Sequence, residues 1–275
     1  MTTTAPPLKL PTTPASTVVA RLEAALAEVA GAPAMLAFDA DGTLWRGDVG
    51  EDVYSARVAE EGVREEARAA LEAEARAVGV ASAGTPSQIA GALFAAYTAG
   101  SYDEERAFSM MAWAFAGWRL DELDAWGERV LHAAQLDGRV HRALAPLMAW
   151  AGRAGVELWI ASASPSFAVR AGAHRLGVPV ENVLAMDPAV ENGVLLPRLA
   201  AAPVYGAGKM TAIERARPDA VLLGAFGDSV YDVAMLRAAR VPVAVDPKPS
   251  LLAAIASGSE RGADGRPLSP LIMEP

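Results

Sequence analysis

The chain contains no cysteine among its 275 residues. This absence excludes disulfide bonds, zinc–thiolate sites, iron–sulfur clusters and cysteine nucleophiles. Histidine is also scarce, because the only three are His132, His141 and His174, far apart in the sequence. A histidine-rich metal site is therefore not expected, and carboxylates, hydroxyls and lysines are left as the main candidates for catalytic groups.

Basic charge and long apolar runs are lacking as well. Lysine and arginine total 24 against 33 acidic residues, a formal charge of −9 that argues against a nucleic-acid surface and suits a divalent cation held among carboxylates. No stretch approaches the roughly 18 apolar residues of a membrane span. The Thr- and Pro-rich residues 1–14 do not resemble a signal peptide. We therefore expect a soluble cytoplasmic protein that binds neither nucleic acid nor membrane.

The apolar content, 52% of residues, is enough for a core of normal size, and the length suggests about two domains. Short apolar strands alternate with predicted helices, a pattern typical of a mostly parallel sheet with helices on both faces. Between residues 48 and 137 this alternation is replaced by helical periodicity alone. We predict an α/β core interrupted by a helical cap and bounded by two terminal segments. The predicted boundaries are a flexible N-terminal arm at 1–16, the core at 17–47 and 138–257, the cap at 48–137 and a poorly ordered C-terminal tail at 258–275.

The first polar loop directly follows the predicted strand 34–38 and contains Asp39 and Asp41. A carboxylate can attack phosphorus to form an aspartyl-phosphate, and a neighbouring acid can protonate the leaving oxygen. The structural alternative is a turn that carries two solvated aspartates. The position of the pair, between an apolar strand and Gly42-Thr43, favours the chemical interpretation more than the Asp-x-Asp pattern alone does.

A second acidic loop follows the predicted strand 220–226. Asp228 and Asp232 lie one helical turn apart, so both can face one site. Magnesium prefers oxygen ligands, usually one or two carboxylates with water and phosphate. Asp39 and Asp228 would supply such a pair, although Asp228 could instead cap the following helix.

Two further residues, Ser162 and Lys209, are uninformative when taken singly. Ser162 begins a predicted loop, 162–165, after the strand 156–161, and Lys209 lies in the first turn of a predicted helix, 207–217. The Gly208-Lys209 pair is not a P-loop, because Pro203 stands where that motif needs its first glycine and Met210 where it needs serine or threonine.

Taken together and in this order, the four elements resemble the motif signature of the haloacid dehalogenase superfamily. The elements are Asp39-Ala40-Asp41-Gly42-Thr43, Ser162, Lys209 and Gly227-Asp228-Ser229-Val230-Tyr231-Asp232. The helical insert resembles a C1-type cap. The turn Asn192-Gly193, which predicts a tight hairpin, is similar to the phosphoserine-phosphatase-like branch. The resemblance implies a Rossmann-like, mostly parallel sheet with an inserted helical cap.

The resemblance also implies a role for each matching residue. Asp39 would be the phosphorylated nucleophile and a metal ligand. Asp41 would be the general acid and later the base, with its main-chain carbonyl on the metal, and Asp228 would ligate Mg²⁺. Ser162, Ala163 and Lys209 would bind the phosphoryl oxygens, and Thr43 would shape the loop. Asp232 would orient a metal-bound water or Lys209.

The activity implied is that of a Mg²⁺-dependent phosphatase acting on a small phosphorylated metabolite. Asp41 favours this chemistry, because dehalogenases and phosphonatases of the superfamily lack an acid at that position. One alternative is a phosphotransferase that hands the phosphoryl group to an alcohol. Another is a catalytically silent binding module with the same fold.

Two acids at the start of the predicted cap leave substrate choice open. Asp48 and Glu51 have the spacing of a helix capping box, or they could contact a cationic or amino-bearing substrate. Nine of the chain's 17 aromatic residues lie between 48 and 137; they predict a packed cap core or, alternatively, an aromatic cage for a quaternary ammonium such as phosphocholine. The segment Ala163-Ser164-Pro165 departs from the Gly-Gly pair typical of phosphoserine phosphatases, which argues against phosphoserine itself.

Overall fold

The computed structural model describes residues 11–29 and 31–274 of the chain. The strands in these residues are β1 Ala34–Phe38, β2 Glu157–Pro165, β3 Val183–Met186, β4 Pro188–Glu191, β5 Val194–Leu199, β6 Val221–Gly227, β7 Val241–Val245 and β8 Leu271–Met273. The α-helices are α1 Ala15–Glu28, α2 Val49–Ala59, α3 Arg68–Ala77, α4 Pro86–Thr98, α5 Glu104–Trp113, α6 Leu120–Ala133, α7 Leu136–Arg139, α8 Ala145–Ala154, α9 Ser166–Arg175, α10 Ala207–Ala216, α11 Val233–Ala238 and α12 Pro249–Ser257. Short 3₁₀ turns occupy Glu65–Ala67, Arg142–Leu144, Val180–Asn182 and Val230–Asp232.

Six strands form one sheet in the order β3-β2-β1-β6-β7-β8. β1 pairs in parallel with β2 and β6, and the pairs β6–β7 and β7–β8 are parallel as well. The α/β fold with a mostly parallel sheet is therefore confirmed. β4 and β5 form a separate antiparallel hairpin, whose turn residues Asn192 and Gly193 have φ of 52° and 80°, as the Asn-Gly signal predicts.

The chain divides into two compact units. The first contains residues 11–29, 31–46, 140–161 and 209–274, and the second contains 47–139 and 162–208. The segment predicted as a cap, 48–137, lies within the second unit, which also includes 162–208. Both β2 and α10 begin in one unit and end in the other. The predicted domain boundaries remain a prediction.

The first unit has its core around β1 and β6. All five residues of β1 are buried, as expected for a strand covered on both faces. The rings of Phe38 and Phe226 stack at the ends of these strands, with centroids 4.3 Å apart. Gly224 lets α1 approach the sheet, because a Cβ there would lie 2.9 Å from both Leu22 and Leu36. The loops that follow β1 and β6 therefore begin at the ends of two closely packed strands.

The second unit is mainly helical and packs its own aromatic residues. The Tyr54 hydroxyl donates to the carbonyl oxygen of Ala90 at 3.0 Å inside the unit. The guanidinium of Arg57 lies over the ring of Trp126 at 3.7 Å and the ring of Trp118 at 4.2 Å. Because the side chain of Arg57 covers these faces of Trp118 and Trp126, the two tryptophans agree with a packed cap core, the first of the two alternatives for the aromatic residues.

Two boundaries differ from the sequence expectation. β2 continues to Pro165, so Ser162 lies in a strand and not in the predicted loop. The run 162–165 of small residues and proline carries little strand signal. The predicted poorly ordered tail contains β8, which pairs with β7 and accepts a hydrogen bond at Ile272 from the amide of Thr13, 2.6 Å away. A three-residue strand among glycine and proline is too short to give a periodic pattern.

At the other end, α1 begins at Ala15, within the predicted N-terminal arm 1–16. Most of the predicted N-terminal arm falls on residues 1–10, outside the described residues. In the part of the chain that the structure describes, none of the helices combines the length and the apolar character needed to cross a bilayer.

Candidate active site

The loop after β1 is fastened to the neighbouring strand. The amide of Asp39 donates to the carbonyl of Phe226 at 2.8 Å, and the amide of Gly42 donates to the carbonyl of Trp45 at the same distance. The indole Nε1 of Trp45 donates to Asp41 Oδ1 at 2.7 Å. Gly42 has φ of 88°, a backbone conformation that favours glycine. The two aspartates are therefore parts of a fixed turn at the carboxyl end of β1.

Thr43 and His141 support this turn from within the first unit. The Thr43 hydroxyl donates to Asp39 Oδ2 at 3.0 Å, and the Thr43 carbonyl accepts from His141 Nδ1 at 2.9 Å. The amide of His141 donates to the carbonyl of Leu44 at 2.9 Å. Thr43 thus orients one oxygen of Asp39, and His141 holds the far side of the turn.

Lys209 joins two of the predicted carboxylates. Its Nζ lies 2.6 Å from Asp39 Oδ1 and 2.6 Å from Asp232 Oδ1. The lysine is 3% exposed and Asp232 is completely buried. Buried charges need partners of this kind, because an isolated charge in the interior is strongly unfavourable.

Asp232 is the acceptor around which the second acidic loop folds. Its Oδ2 accepts from the amides of Asp228 and Ser229, at 3.1 and 2.9 Å, and from the Ser229 hydroxyl at 3.0 Å. Ser229, not Asp228, occupies the N-cap position of the 3₁₀ turn Val230–Asp232. The capping alternative for Asp228 is therefore wrong, and its carboxylate is directed to other partners.

Three carboxylates converge at this end of the sheet. Asp39, Asp228 and Asp232 each offer an oxygen, and these oxygens lie within 4.8 Å of one another. Hard oxygen donors in a buried group are the ligands that Mg²⁺ prefers. The donor set therefore fits a divalent cation.

The electrostatics of the cluster favour the same conclusion. Burial raises the pKa of Asp39 well above its usual range, and the neighbouring charge of Asp232 adds to this, whereas Lys209 lowers it. Burial likewise raises the pKa of Asp228, and Lys248 opposes that rise. Although burial lowers the pKa of Lys209, the carboxylates of Asp232 and Asp39 raise it above its ordinary value, so its ammonium stays charged. A bound cation would favour the ionised carboxylates.

The predicted phosphoryl-binding and substrate residues of the second unit form a hydrogen-bonded series of their own. Ser162 is buried in β2, next to the half-buried Ala163, and its Oγ accepts from the amide of Ser164 at 3.1 Å. The Ser164 hydroxyl donates to Asp48 Oδ1 at 3.4 Å. That oxygen also accepts from the amide of Glu51 at 2.8 Å, so Asp48 caps α2 as one alternative predicted.

Glu51 has a partner that the sequence did not suggest. Its Oε1 accepts from the hydroxyl of Tyr97 at 2.9 Å, within the second unit. Burial raises the pKa of Tyr97, and the negative charge of Glu51 adds to the rise. Asp48 thus caps helix α2, and Glu51 contacts Tyr97. Contact of either residue with a substrate stays a prediction.

Sequence reasoning missed Trp45, His141 and Lys248. Lys248 Nζ lies 2.9 Å from Asp228 Oδ2, and its amide donates to the Asp228 carbonyl at 2.7 Å. Lys248 follows β7 at its carboxyl end, so the rule that found Asp39 and Asp228 could have found it. Trp45 and His141 carry no comparable signal, because their contacts depend on how the turn folds.

The α/β fold of this chain, with its mostly parallel sheet, is similar to that of solved structures. One is a protein of unknown function from Bordetella pertussis Tohama I, which is 22% identical, with 84% of this chain and 97% of that chain covered and a TM-score of 0.63. Another is cytosolic 5'-nucleotidase IIIB bound to cytidine, at 13% identity, 93% and 86% coverage and a TM-score of 0.57. A substrate-bound phosphoserine phosphatase is 16% identical, with 79% and 88% covered and a TM-score of 0.48. At these identities the first two likenesses, with TM-scores of 0.63 and 0.57, show the fold alone.

The family follows from the sequence itself. Residues 36–237 match the model of the haloacid dehalogenase-like hydrolase family. The chain therefore belongs to this family, and the resemblance inferred from the four motifs is confirmed. No curated protein matches the chain in sequence.

Proposed function

We propose that the chain is a Mg²⁺-dependent phosphatase that hydrolyses a small phosphomonoester through an aspartyl-phosphate on Asp39. The observation that supports this most strongly is the position of Asp39. Its two oxygens are oriented separately, Oδ1 by Lys209 at 2.6 Å and Oδ2 by Thr43 at 3.0 Å, beside Asp228. A fixed carboxylate next to a buried ammonium suits attack on a phosphoryl group.

In the first step an oxygen of Asp39 forms a bond to phosphorus, and the bond between phosphorus and the leaving oxygen breaks. Asp41 donates a proton to that oxygen, which leaves as an alcohol. In the second step Asp41 takes a proton from water, and the water oxygen bonds to phosphorus. The bond between phosphorus and Asp39 then breaks and releases inorganic phosphate. Lys209 offsets the charge that builds up on the phosphoryl oxygens.

Asp39, Asp228 and the main-chain carbonyl of Asp41 would hold the metal. Mg²⁺ held by these residues would neutralise charge on the phosphoryl group. Asp232 acts through Lys209, whose ammonium it positions at 2.6 Å. This contact favours the lysine-orienting role among the two implied for Asp232.

In the second unit, Ser162 and Ala163 are proposed to bind phosphoryl oxygens, and Asp48 and Glu51 to contact the organic part of the substrate. The hydrogen bonds that link Ser162, Ser164 and Asp48 support this proposal, because they bring a proposed phosphoryl-binding residue and a proposed substrate residue close together within the second unit. We propose a small phosphorylated metabolite as substrate and a cytoplasmic location.

The direct test is hydrolysis of p-nitrophenyl phosphate with Mg²⁺, with EDTA, and by Asp39→Asn, which should be folded but inactive. A folded wild-type protein without activity under any divalent metal would contradict the enzyme proposal and leave the binding-module alternative. Hydrolysis and transfer to an alcohol are distinguished by measuring the amounts of phosphate and nitrophenol released when alcohols are added. Less phosphate than nitrophenol, together with a phosphorylated alcohol, would identify a phosphotransferase.

A further inference from the structure

Lys248 binds the same aspartate twice. Its main-chain amide donates to the carbonyl of Asp228 at 2.7 Å, and its ammonium lies 2.9 Å from Asp228 Oδ2. Lys248 stands between β7 and α12, at the N-cap position of that helix. The main-chain contact ties this loop to the end of β6, and the side-chain contact covers a carboxylate that the proposed metal would need.

The two lysines of the cluster differ in how firmly they are held. Lys209 is enclosed, with 4% of its side chain exposed, and bridges Asp39 and Asp232. Lys248 has 58% of its side chain exposed and contacts the side chain of Asp228. An ammonium at the surface can move into water at little cost, whereas a buried bridging one cannot. Lys248 is thus the displaceable cation of the cluster.

An ammonium and a metal ion compete for Asp228. Mg²⁺ binds carboxylate oxygens at about 2.1 Å, so an ion on Asp228 and an ammonium 2.9 Å from its Oδ2 would be two like charges at close range. Their repulsion opposes metal binding unless the lysine moves away. Before the metal binds, the same ammonium stabilises a buried carboxylate that lies next to two others.

We propose that Lys248 is a built-in counter-cation that occupies Asp228 in the metal-free protein, leaves it when the divalent cation binds, and thereby sets the affinity of the metal site. This inference rests on the metal site of the proposed function. Both effects of removing the charge act in one direction: the metal-free carboxylates lose a stabilising partner, and the metal-bound state loses a repulsive neighbour. Replacing Lys248 by a neutral residue should therefore strengthen metal binding.

Lys248→Gln is a suitable variant, because any replacement other than proline keeps the amide that donates to Asp228. Lys248→Arg keeps the positive charge. Arg266→Gln controls for the change in net charge, because Arg266 has 85% of its side chain exposed and contacts Asp264 at 3.8 Å. Asp228→Asn establishes whether the measured ion binds at the proposed site.

The experiment is a Mg²⁺ titration of wild type and the four variants as full-length proteins. Binding is measured by isothermal titration calorimetry and by the shift in melting temperature. We expect Lys248→Gln to bind Mg²⁺ about tenfold more tightly than wild type. We expect Lys248→Arg and Arg266→Gln to match wild type, and Asp228→Asn to lose binding. An affinity of Lys248→Gln equal to or weaker than that of wild type, with binding lost in Asp228→Asn, would overturn this inference alone. Failure of wild type to bind Mg²⁺, or unchanged binding by Asp228→Asn, would overturn the proposed metal site as well.

Discussion

Lys209 Nζ lies 2.6 Å from Asp39 Oδ1, inside the first unit and almost out of contact with solvent. The pair connects helix α10 to the turn that follows β1. The same ammonium reaches Asp232 at 2.6 Å, so one lysine holds the loops that follow β1 and β6. The chemistry proposed for Asp39 depends on this arrangement, because it fixes the direction of one carboxylate oxygen.

Removal of Lys209 should damage both stability and turnover. Lys209→Met leaves Asp39 and Asp232 buried without their shared cation, and breaking a buried ion pair costs about 3–5 kcal/mol of unfolding free energy. Turnover of p-nitrophenyl phosphate should fall by about 10²–10³-fold. Denaturant unfolding and steady-state kinetics measure the two effects.

The double variant Lys209→Met/Asp232→Asn separates these effects, because it removes one of the two unpaired charges. It should regain part of the unfolding free energy and none of the turnover. Wild-type turnover in Lys209→Met would contradict the role assigned to the lysine.

Asp41→Asn should separate phosphorylation from hydrolysis. Nitrophenolate leaves without a proton, so attack by Asp39 on p-nitrophenyl phosphate needs little help from an acid, whereas activation of water needs the base. We expect a burst of nitrophenol close to one equivalent per enzyme, followed by turnover reduced by about 10²–10⁴-fold. Rapid mixing with absorbance detection measures the burst. A variant that turns over at the wild-type rate would show that Asp41 is not the base that activates water.

Gly42 should resist substitution more than another glycine with similar backbone geometry. Gly42 and Gly31 have φ of 88° and 85°, so alanine is strained at either position by about 1–2 kcal/mol. At residue 42 a Cβ would also overlap the Asp228 carboxylate, whereas a Cβ at residue 31 would have no atom of the described residues within 4 Å apart from its chain neighbours. Gly42→Ala should therefore lose Mg²⁺ affinity and turnover, and Gly31→Ala should lose only stability. Equal behaviour of the two variants in a Mg²⁺ titration would contradict the close approach of Gly42 to Asp228.

His141 should make stability depend on pH. Burial lowers the pKa of His141, although its hydrogen bond to the Thr43 carbonyl opposes this shift. Its Nδ1 donates to that carbonyl, and its Nε2 has no partner among the described residues. A histidine in the unfolded chain takes up a proton near pH 6.5. Below that pH the unfolded state therefore binds more protons, so the unfolding free energy should fall as pH decreases from about 7 and level off below the folded pKa.

The measurement is urea unfolding between pH 5 and 8 for wild type, His141→Gln and the exposed His132→Gln. His141→Gln should be less stable at pH 8 and should lose part of the slope below pH 7. His132→Gln controls for the replacement of a histidine. A slope that is identical in wild type and His141→Gln would contradict the assignment.

Much of the sheet could be predicted because its strands are short apolar runs with clear ends. β1 has the predicted bounds and β6 differs from its predicted bounds by one residue, and each is an apolar run that a polar residue terminates. β2 was predicted too short because Ala and Ser at its end pack in a strand without a strand-like composition. β8 was missed because three residues cannot establish a period.

The candidate site was predictable to the extent that it follows strand ends. Asp39, Asp228 and Asp232 converge as the loop positions suggested, and Lys209 reaches two of them. The contact of Lys248 with Asp228 depends on the pairing of β6 with β7 and on the loop beyond β7, which no local pattern encodes. The tyrosine partner of Glu51 lies 46 residues away in sequence, and for the same reason it could not be predicted.

The central claim is that Asp39 carries the phosphoryl group during turnover. An acyl phosphate is reduced by borohydride, which converts the aspartate to homoserine. The measurement is peptide mass spectrometry of protein quenched during turnover of p-nitrophenyl phosphate with Mg²⁺ and then treated with borohydride. We predict homoserine at residue 39, and none in protein without substrate or in Asp39→Asn. An unmodified Asp39 in a sample that is turning over substrate, or homoserine at another aspartate, would contradict the account.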